Sequence, residues 1–550
     1  MTDMAPKRIE TPVRLSQSKL WMIQQNYFTT KGIEAWKDEV PFYISSNAFI
    51  GHRYALLVLN FIKDWRRQHP NSQQDCFYML EIGSGMGLFS FYFLKFLKTL
   101  LSAHHLADQK FCYIITDLIE NNVKFCLENP SFAPFVAAGE IDFACFNVDR
   151  DKDFHLLKKD QAFTTITQNQ PLIVIANYTF DCIKQDAFFV KEQKCYEMKL
   201  GLRSRYKDFD ISKSQHLKDL RLDYHVDEAI NIVNYYDQPI LNDILKEYAQ
   251  TFQEKEAIFL LPVGAFEFLH HLNPSQLFMI VGDKGITEPH QMPLVDKHQI
   301  STFDGCFSFL VNFHALGSYL KKLGGDYLHS QHSNDFKINL YTKGIHFSEL
   351  SATKACFETV VDSFGPDEYG AIYEEYLANS YRFSMRALLG FVRLSQWDPQ
   401  SYAAVHERLI ELIPSFGQQF VEDINQDLLK VKENIYHFNL GDDIFNLLGI
   451  FYQQNDDFDK ALEVYEESMQ LFPQKAASYH NAALIYEKQK NTPKAIEYYE
   501  KSYQIDKKNI FDQRKAKQLS GKPTVAMIYP ILKGVLVILL IALVLYVLGR

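Results

Sequence analysis

Residues 77–89 read FYMLEIGSGMGLF, and this stretch decides the fold. Its first part, Phe77–Ile82, is a short apolar run that stops at a glycine, which is typical of a buried strand. Gly83, Gly85 and Gly87 follow, and then an apolar run long enough for a helix. Strand, glycine loop and helix open a doubly wound α/β domain, whose ligand lies over the carboxyl end of the strand. Glycines let the backbone bend sharply there and approach the ligand with no Cβ in the way.

The spacing of the glycines argues against a nicotinamide oxidoreductase. Dinucleotide folds use G-x-G-x-x-G and place a pyrophosphate on the helix N-terminus. Here the third glycine comes one residue early, and Glu81 stands two residues before the first. A carboxylate repels a pyrophosphate and attracts a ligand with an ammonium or sulfonium charge.

The pattern E-x-G-x-G-x-G resembles the motif of class I S-adenosylmethionine methyltransferases. This resemblance implies an α/β fold with a Rossmann-like doubly wound sheet, and S-adenosyl-L-methionine as the cofactor. It also implies that Glu81, Gly83, Gly85 and Gly87 bind that cofactor. An ordinary glycine-rich turn in an α/β core is the alternative.

Later strand ends supply further candidates. The strand KFCYIITD ends at Asp117, where class I folds use an acid to hold both ribose hydroxyls; capping the next helix is the alternative role. The strand EIDFACFNVD brings Asn147 and Asp149 to the place where this fold contacts the adenine, although a surface turn is equally open. The fourth strand, PLIVIAN, leads to Asn177 and Asp181, the usual position of groups that meet the methyl acceptor. We therefore predict Asn177 and Asp181 as catalytic residues that orient or deprotonate the acceptor.

Four segments resemble the MidA-like methyltransferases, a family that includes the mitochondrial enzyme that methylates an arginine to mature respiratory complex I. They are IANYTFDCIKQDAFFV, SKLWMIQQNYFTTKGIEAW, FYISSNAFIGHRYA and VNFHALGSYLKKLGG, and the likeness spreads over roughly residues 16–345. Tyr178 stands where the family has a glutamate, and Gly282-Asp283-Lys284-Gly285 replaces its D-Y-G. These departures leave the identity of the acceptor open.

We predict a methyltransferase domain over residues 1–345, with a charged insert at about 191–255 that is helical in parts, including VDEAINIVNYYDQPILNDILKEYAQTF. Inserts at this sheet edge usually build the acceptor site. A helical domain is predicted over residues 346–522.

The helical domain contains a repeat of 34 residues, clearest over about 442–508. The first copy has its characteristic residues, most of them small or aromatic, at Leu448, Gly449, Tyr452, Ala461, Tyr465, Ser468 and Pro473. The second copy repeats six of these offsets, at Ala482, Ala483, Tyr486, Ala495, Tyr499 and Ser502. The pattern is similar to tetratricopeptide repeats, which bind peptides or helices in a groove. It therefore predicts a protein partner or substrate, and a structural spacer is the alternative.

The last segment, VAMIYPILKGVLVILLIALVLYVL, is apolar but for Lys533 and long enough to span a bilayer. Arg514, Lys515, Lys517 and Lys522 precede it and only Arg550 follows. The sequence thus predicts a transmembrane tail anchor at residues 525–548, with the large N-terminal part in the cytoplasm.

Composition excludes other classes of protein. The net charge of -10 argues against a general nucleic-acid binder. The opening residues contain no apolar signal-peptide region. Eight cysteines without a C-x-x-C pair favour a reducing compartment and predict no metal site.

These features predict a membrane-anchored S-adenosylmethionine-dependent methyltransferase, acting on a protein side chain, whose repeats recruit a protein partner. The alternative is a catalytically inactive methyltransferase fold that serves as a membrane-tethered scaffold.

Overall fold

The computed structural model describes residues 6–35, 43, 45–72, 75–163, 171–206, 208–292, 300–303, 306–331, 336–415, 418–438 and 442–521. The chain divides into two compact units, one that runs to Glu375 and one that begins at Tyr376. The strands are β1 (Lys7–Val13), β2 (Phe77–Ile82), β3 (Phe111–Asp117), β4 (Ile141–Cys145), β5 (His155–Leu156), β6 (Gln161–Ala162), β7 (Leu172–Asn177), β8 (Asp186–Lys191), β9 (Lys194–Ser204), β10 (Arg221–Ala229), β11 (Ala257–Leu261), β12 (Leu277–Ile286), β13 (Ile300–Phe303), β14 (Cys306–Phe309), β15 (Val311–Asn312), β16 (Gly325–Leu328) and β17 (Phe336–Lys343). The helices are α1 (Leu20–Lys31), α2 (Ala48–Gln68), α3 (Leu88–Ala103), α4 (Glu120–Glu128), α5 (Ala133–Ala137), α6 (Ser214–Lys218), α7 (Pro239–Thr251), α8 (Val263–Leu272), α9 (Phe313–Lys322), α10 (Ser351–Phe357), α11 (Pro366–Asn379), α12 (Met385–Leu394), α13 (Pro399–Leu412), α14 (Gln418–Glu433), α15 (Ile444–Gln454), α16 (Phe458–Leu471), α17 (Ala476–Lys488), α18 (Thr492–Ile505) and α19 (Ile510–Leu519).

A mixed sheet forms the centre of the first unit. Its strand order is β16-β17-β12-β7-β2-β3-β4. The strands from β12 to β4 run parallel, and β17 runs antiparallel between β12 and β16. The chain order reverses between β2 and β7, which makes this pair the topological switch point where such sheets bind ligands.

The central strands are buried on both faces, which explains why their sequences read as continuous apolar runs. Every residue of β3 and of β7 is buried. Helices α2 and α3 pack closely because Gly51 has no side chain: a Cβ there would lie 2.5 Å from the Tyr92 Cβ.

A second, antiparallel sheet contains the two strands of the predicted insert, β9 and β10. Its order is β1-β9-β8-β11, and β10 pairs with the other edge of β9. Residues 226–229, which we predicted as helical, form the end of β10 instead, while Pro239–Thr251 is a helix as expected. The backbone of residues 226–229 pairs with β9, and this long-range pairing overrides the local helical pattern.

The second unit contains two helix pairs that repeat each other at 34 residues. Asp456 and Lys490 are equivalent turn residues and both have φ of 59°. The next residues, Asp457 and Asn491, cap the second helix of each pair by accepting a hydrogen bond from a backbone N–H three residues on. The structural repeat therefore has the period that the sequence predicts.

The predicted fold class was wrong in its membrane-spanning helix. Across the described ranges, no helix is both long and apolar enough to cross a bilayer. The longest one, Ala48–Gln68, carries Arg53, Lys63 and Asp64 within its length and is amphipathic. Residues 525–548, on which the prediction fell, lie outside the described residues.

We expect Gly449→Ala to destabilise the repeats, because a Cβ at this helical position overlaps the buried ring of Tyr465. Overpacking of this kind costs about 1–3 kcal/mol. Gly390→Ala is the matched control, since a Cβ at that helical glycine meets nothing within 4 Å. Hydrogen exchange measured over residues 444–471 should rise in the first variant only. Equal exchange in the two variants would contradict the packing argument.

Candidate active site

A cavity of about 620 Å³ opens where four parallel strands of the main sheet end. Its wall includes residues that follow β2, β3, β4 and β7, together with side chains from residues 16–28. A volume of this size is within the range of small-molecule sites. The structure brings four predicted cofactor residues into this wall, namely Gly83, Asp117, Asn147 and Asp149.

The three glycines of the loop share one backbone conformation, which explains why glycine occurs at each of these positions. Gly83, Gly85 and Gly87 have φ of 70°, 56° and 77°, in the left-handed region that side chains disfavour. A Cβ on Gly83, at the edge of the cavity, would lie 2.8 Å from the Thr179 Oγ1. A Cβ on Gly87 would lie 2.8 Å from the Cys126 Sγ, beneath the start of α3. Gly83 thus borders the cavity, whereas Gly87 is required by packing.

Asp117 joins the glycine loop to the end of β3. Its Oδ2 accepts a hydrogen bond from the Gly85 N–H at 2.9 Å. Its Oδ1 accepts from the Ile119 N–H at 2.8 Å and from the Asn122 Nδ2 at 3.1 Å. Burial raises the pKa of Asp117 to about 6, against the effect of these donors. Because a carboxylate has about four acceptor positions, one remains for a ligand donor.

Glu81 lies behind the loop and does not line the cavity. It is buried, and its Oε2 accepts a hydrogen bond from the Ser90 Oγ on α3. Burial raises the pKa of Glu81 to about 7, although hydrogen bonds with Ser90 and Tyr113 oppose the shift. In this position Glu81 joins the end of β2 to α3.

Asn147 and Asp149 form part of the turn that follows β4. The Asn147 Oδ1 accepts from the Asp149 N–H at 3.0 Å, so the side chain closes an Asx turn. The Asp149 Oδ1 accepts from the Lys184 N–H at 3.3 Å. Burial raises the pKa of Asp149 to about 6, and the positive charge of Lys184 opposes this shift. The turn therefore connects the strand ends of β4 and β7 at the cavity.

The structure does not bring the predicted catalytic residues to the cavity wall. Asn177 accepts from the Tyr54 hydroxyl at 3.2 Å and donates to the Ser45 carbonyl at 2.7 Å. Asp181 is 1% exposed and accepts from the Ser308 Oγ at 2.6 Å, while its own N–H donates to the Asp283 Oδ2 at 3.1 Å. Both side chains are engaged inside the protein, and a catalytic role for them stays a prediction.

Sequence reasoning missed the contribution of the N-terminal helix. Trp21 and Phe28 of α1 line the cavity, and Gln24 fixes the helix by donating to the Cys182 carbonyl and accepting from the Phe307 N–H. The resemblance of this segment to a methyltransferase family is the signal that points to it.

Tyr178, which lines the cavity, has a strained backbone with φ of 54°, and strain of this kind is typical of functional sites. Its ring stacks on that of Phe336.

Asn122 also lines the cavity, although the sequence did not predict it as a site residue. Its side chain is fully buried, and its Oδ1 has no hydrogen-bond partner within the part of the chain that the structure describes. A buried acceptor without a donor is unfavourable, so Asn122 is suited to receive a hydrogen bond from a ligand.

The buried pair Asp181 and Asp283 predicts a pH-dependent stability. Burial raises the pKa of both carboxyls, and the charge of Asp181 raises that of Asp283 further. The folded chain therefore holds more protons than the unfolded chain, and stability should fall as the pH rises from acidic to neutral. Asp181→Asn should make this fall shallower in melting curves recorded between pH 4.5 and 8. Asp243→Asn, at an exposed position, controls for the loss of one charge, and equal slopes for wild type and Asp181→Asn would contradict the prediction.

Comparisons with known proteins identify the repeats. Residues 443–508 match the tetratricopeptide repeat family model. A search of curated protein sequences finds no significant match.

Two solved structures from Burkholderia thailandensis show a distant similarity. One is an uncharacterised COG1565-superfamily protein, with a TM-score of 0.37 and 12% identity over 61% of this chain and 88% of that protein. The other is a member of the same superfamily, taken to be a methyl transferase and bound to S-adenosyl-homocysteine, with a TM-score of 0.36, 12% identity and the same coverage. At these values of TM-score and identity, neither structure determines the fold or the ligand of this chain. The part of the chain that the comparisons do identify is residues 443–508, which match tetratricopeptide repeats.

Proposed function

We propose that the first unit is an S-adenosyl-L-methionine-dependent methyltransferase that acts on a protein side chain. The observation that carries the proposal is the junction of the glycine loop with Asp117 at the wall of a 620 Å³ cavity. This junction lies beside the topological switch point, where open α/β sheets bind nucleotide-like ligands.

The residues at the cavity fit this cofactor. Gly83 allows the backbone of the loop to approach it, and Asp117 and Asn122 offer acceptors for its hydroxyl and amino groups. Asn147 and Asp149 would contact the adenine, as the class I resemblance implies. When bound, S-adenosyl-L-methionine supplies a methyl group on a positively charged sulfur.

The chain itself would contribute orientation and exclusion of water. Trp21 and Phe28 give the cavity an aromatic wall, which lowers the local dielectric constant. Asn177 would act by positioning, since it ties the end of β7 to Ser45 and Tyr54. Asp181 would hold β14 through Ser308, next to the cavity-lining Cys182. These contacts support a role in geometry for both residues.

The tetratricopeptide repeats would bind a protein partner or the substrate itself. Repeats of this type present a groove formed by stacked helices, and they are general binding modules for peptides.

A second candidate function is a scaffold without catalytic activity. The finding that favours it is the burial of Asn177 and Asp181 away from the cavity wall, together with Tyr178 where the resembling family has a glutamate. Under this alternative the cavity binds the cofactor, and no methyl group is transferred.

Gly83→Ala should weaken cofactor binding, because the new Cβ meets Thr179 and disfavours the left-handed loop conformation. Strain of this type costs about 1–3 kcal/mol, so the dissociation constant should rise roughly 5- to 150-fold. Gly139→Ala is the matched control: Gly139 has a similar φ of 69°, and a Cβ there meets nothing within 4 Å. Calorimetric titration with S-adenosyl-L-methionine measures the effect. Failure of the wild-type chain to bind would refute the proposal.

Transfer of a labelled methyl group distinguishes the enzyme from the scaffold. The full chain, incubated with methyl-labelled S-adenosyl-L-methionine and a cell extract, should label protein, and Gly83→Ala should lower the labelling in proportion to its loss of affinity. Tight binding with no labelled product from any extract would favour the scaffold.

A further inference from the structure

Strand β10 is an exposed edge of the second sheet. It pairs with β9 in regular register from Arg221 to Val226, and none of the other described strands pairs with it. No residue of β10 is buried, and the Val226 side chain is 50% exposed. An edge of this kind presents a row of backbone N–H and C=O groups to another strand.

The two faces of β10 differ in character. Leu222, Tyr224 and Val226 lie on one face, because alternate residues of a strand share a face. Leu222 and Tyr224 pack against the apolar cluster that contains Leu200 and Leu202 of β9. The other face has an ionisable side chain at every position, namely Arg221, Asp223, His225 and Asp227.

The sequence of this strand, RLDYHVD over residues 221–227, is complementary to its own reverse. Two copies of the strand can pair in antiparallel orientation about a two-fold axis through Tyr224. Such an axis is perpendicular to the sheet, so each face stays on its own side and residues of like character meet. Opposite charges placed directly across from each other stabilise a strand pair. The opposed pairs on the ionisable face are Arg221 with Asp227 and Asp223 with His225.

The apolar face is complementary in the same arrangement. Leu222 of each copy lies opposite Val226 of the other, and the two Tyr224 side chains lie opposite each other at the axis. Val226 is the most exposed of these three residues, and the pairing covers it with a leucine. Cross-strand apolar pairs of this kind also favour association.

The charges select one register. A two-fold pair centred on Asp223 places this residue opposite its own copy, and a pair centred on His225 places Asp223 opposite Asp227. Like charges directly across from each other destabilise a strand pair. The pair centred on Tyr224 avoids both clashes, so it is favoured over its two neighbours.

The charges within one chain leave Arg221 without a carboxylate. Arg203, a like charge, lies opposite it on β9, and no ion pair of Arg221 occurs among the described residues. A carboxylate has about four acceptor positions, so the acids of this face can bond to a second cation. A second copy thus supplies the acid that Arg221 lacks. The contacts already present in one chain join Asp223 to Arg203 and His225, and Asp227 to Lys199.

We propose that two copies of this chain associate through β10, in an antiparallel pair centred on Tyr224. The second sheet of one copy then continues into that of the other. Closed two-fold pairs are the commonest homo-oligomers, and they use the same patch on both subunits. The interface does not depend on the proposed methyltransferase activity.

An exchange of charges between chains tests this interface. Arg221→Asp places aspartates opposite each other, and Asp227→Arg places arginines opposite each other. Each variant alone should therefore raise the dissociation constant of the dimer at least about tenfold. An equimolar mixture of the two variants restores opposite charges at both positions and should dimerise again. Sedimentation velocity of the full chain over a range of concentrations measures all of these cases.

The control for the change of charge is Arg386→Asp, at an exposed residue of α12, which should leave association unchanged. A wild-type chain that stays monomeric would overturn the proposal. Equal association of wild type and both variants would also overturn it, as would a mixture that associates no more than either variant alone.

A cysteine at the axis tests the register. Only residue 224 faces its own copy, so Tyr224→Cys should form an intermolecular disulfide on mild oxidation with diamide, faster than wild type with its eight native cysteines. His225→Cys faces Asp223 of the other copy and should react no faster than wild type. Faster linkage of His225→Cys than of Tyr224→Cys would contradict a pair centred on Tyr224.

Discussion

The hydrogen bond from the Gly85 N–H to the Asp117 carboxylate is the contact on which the cavity depends. It fixes a loop of three left-handed glycines against the end of the neighbouring strand, and the same carboxylate orients Ile119 and Asn122 at the start of the next helix. Charge-assisted bonds of this kind are stronger than bonds between neutral groups. Asp117 therefore shapes the site and also offers an acceptor to a ligand, so the two roles considered for it are compatible.

The cavity is completed from outside the main sheet. Glu10 of β1 accepts hydrogen bonds from the Ser18 hydroxyl and the Lys19 N–H, which join the second sheet to the beginning of α1. Gln24 then connects α1 to the loop after β7 and to β14. The predicted insert thus contributes to the site indirectly, by holding the N-terminal wall. Changes far from the cavity, along β9, can alter its shape through this chain of contacts.

Local patterns predicted the local structure well. The strand, glycine loop and helix at residues 77–103 follow from residue types within one short window, and the repeats follow from their period. Pairing between distant segments could not be read in this way: β1 pairs with β9, and residues 226–229 became strand rather than helix. The sequence pattern also does not give the direction in which a side chain points at the end of a strand. Asn177 is the last residue of β7 and Asp181 lies shortly after it, at the edge of the sheet where the cavity opens, yet their partners are Tyr54, Ser45 and Ser308.

The pairing of β1 with β9 has a consequence for synthesis of the chain. Lys7 pairs with Ser204 and Val13 with Leu200, so β1 emerges from the ribosome long before its partner exists. At 5–20 residues per second, the interval is roughly 10–40 s. During this time a nascent strand is exposed to wrong partners, and charged residues and proline protect such edges. The sequence of β1, KRIETPV, contains charged residues and a proline. Its composition therefore suits a strand that stays unpaired until β9 has been synthesised.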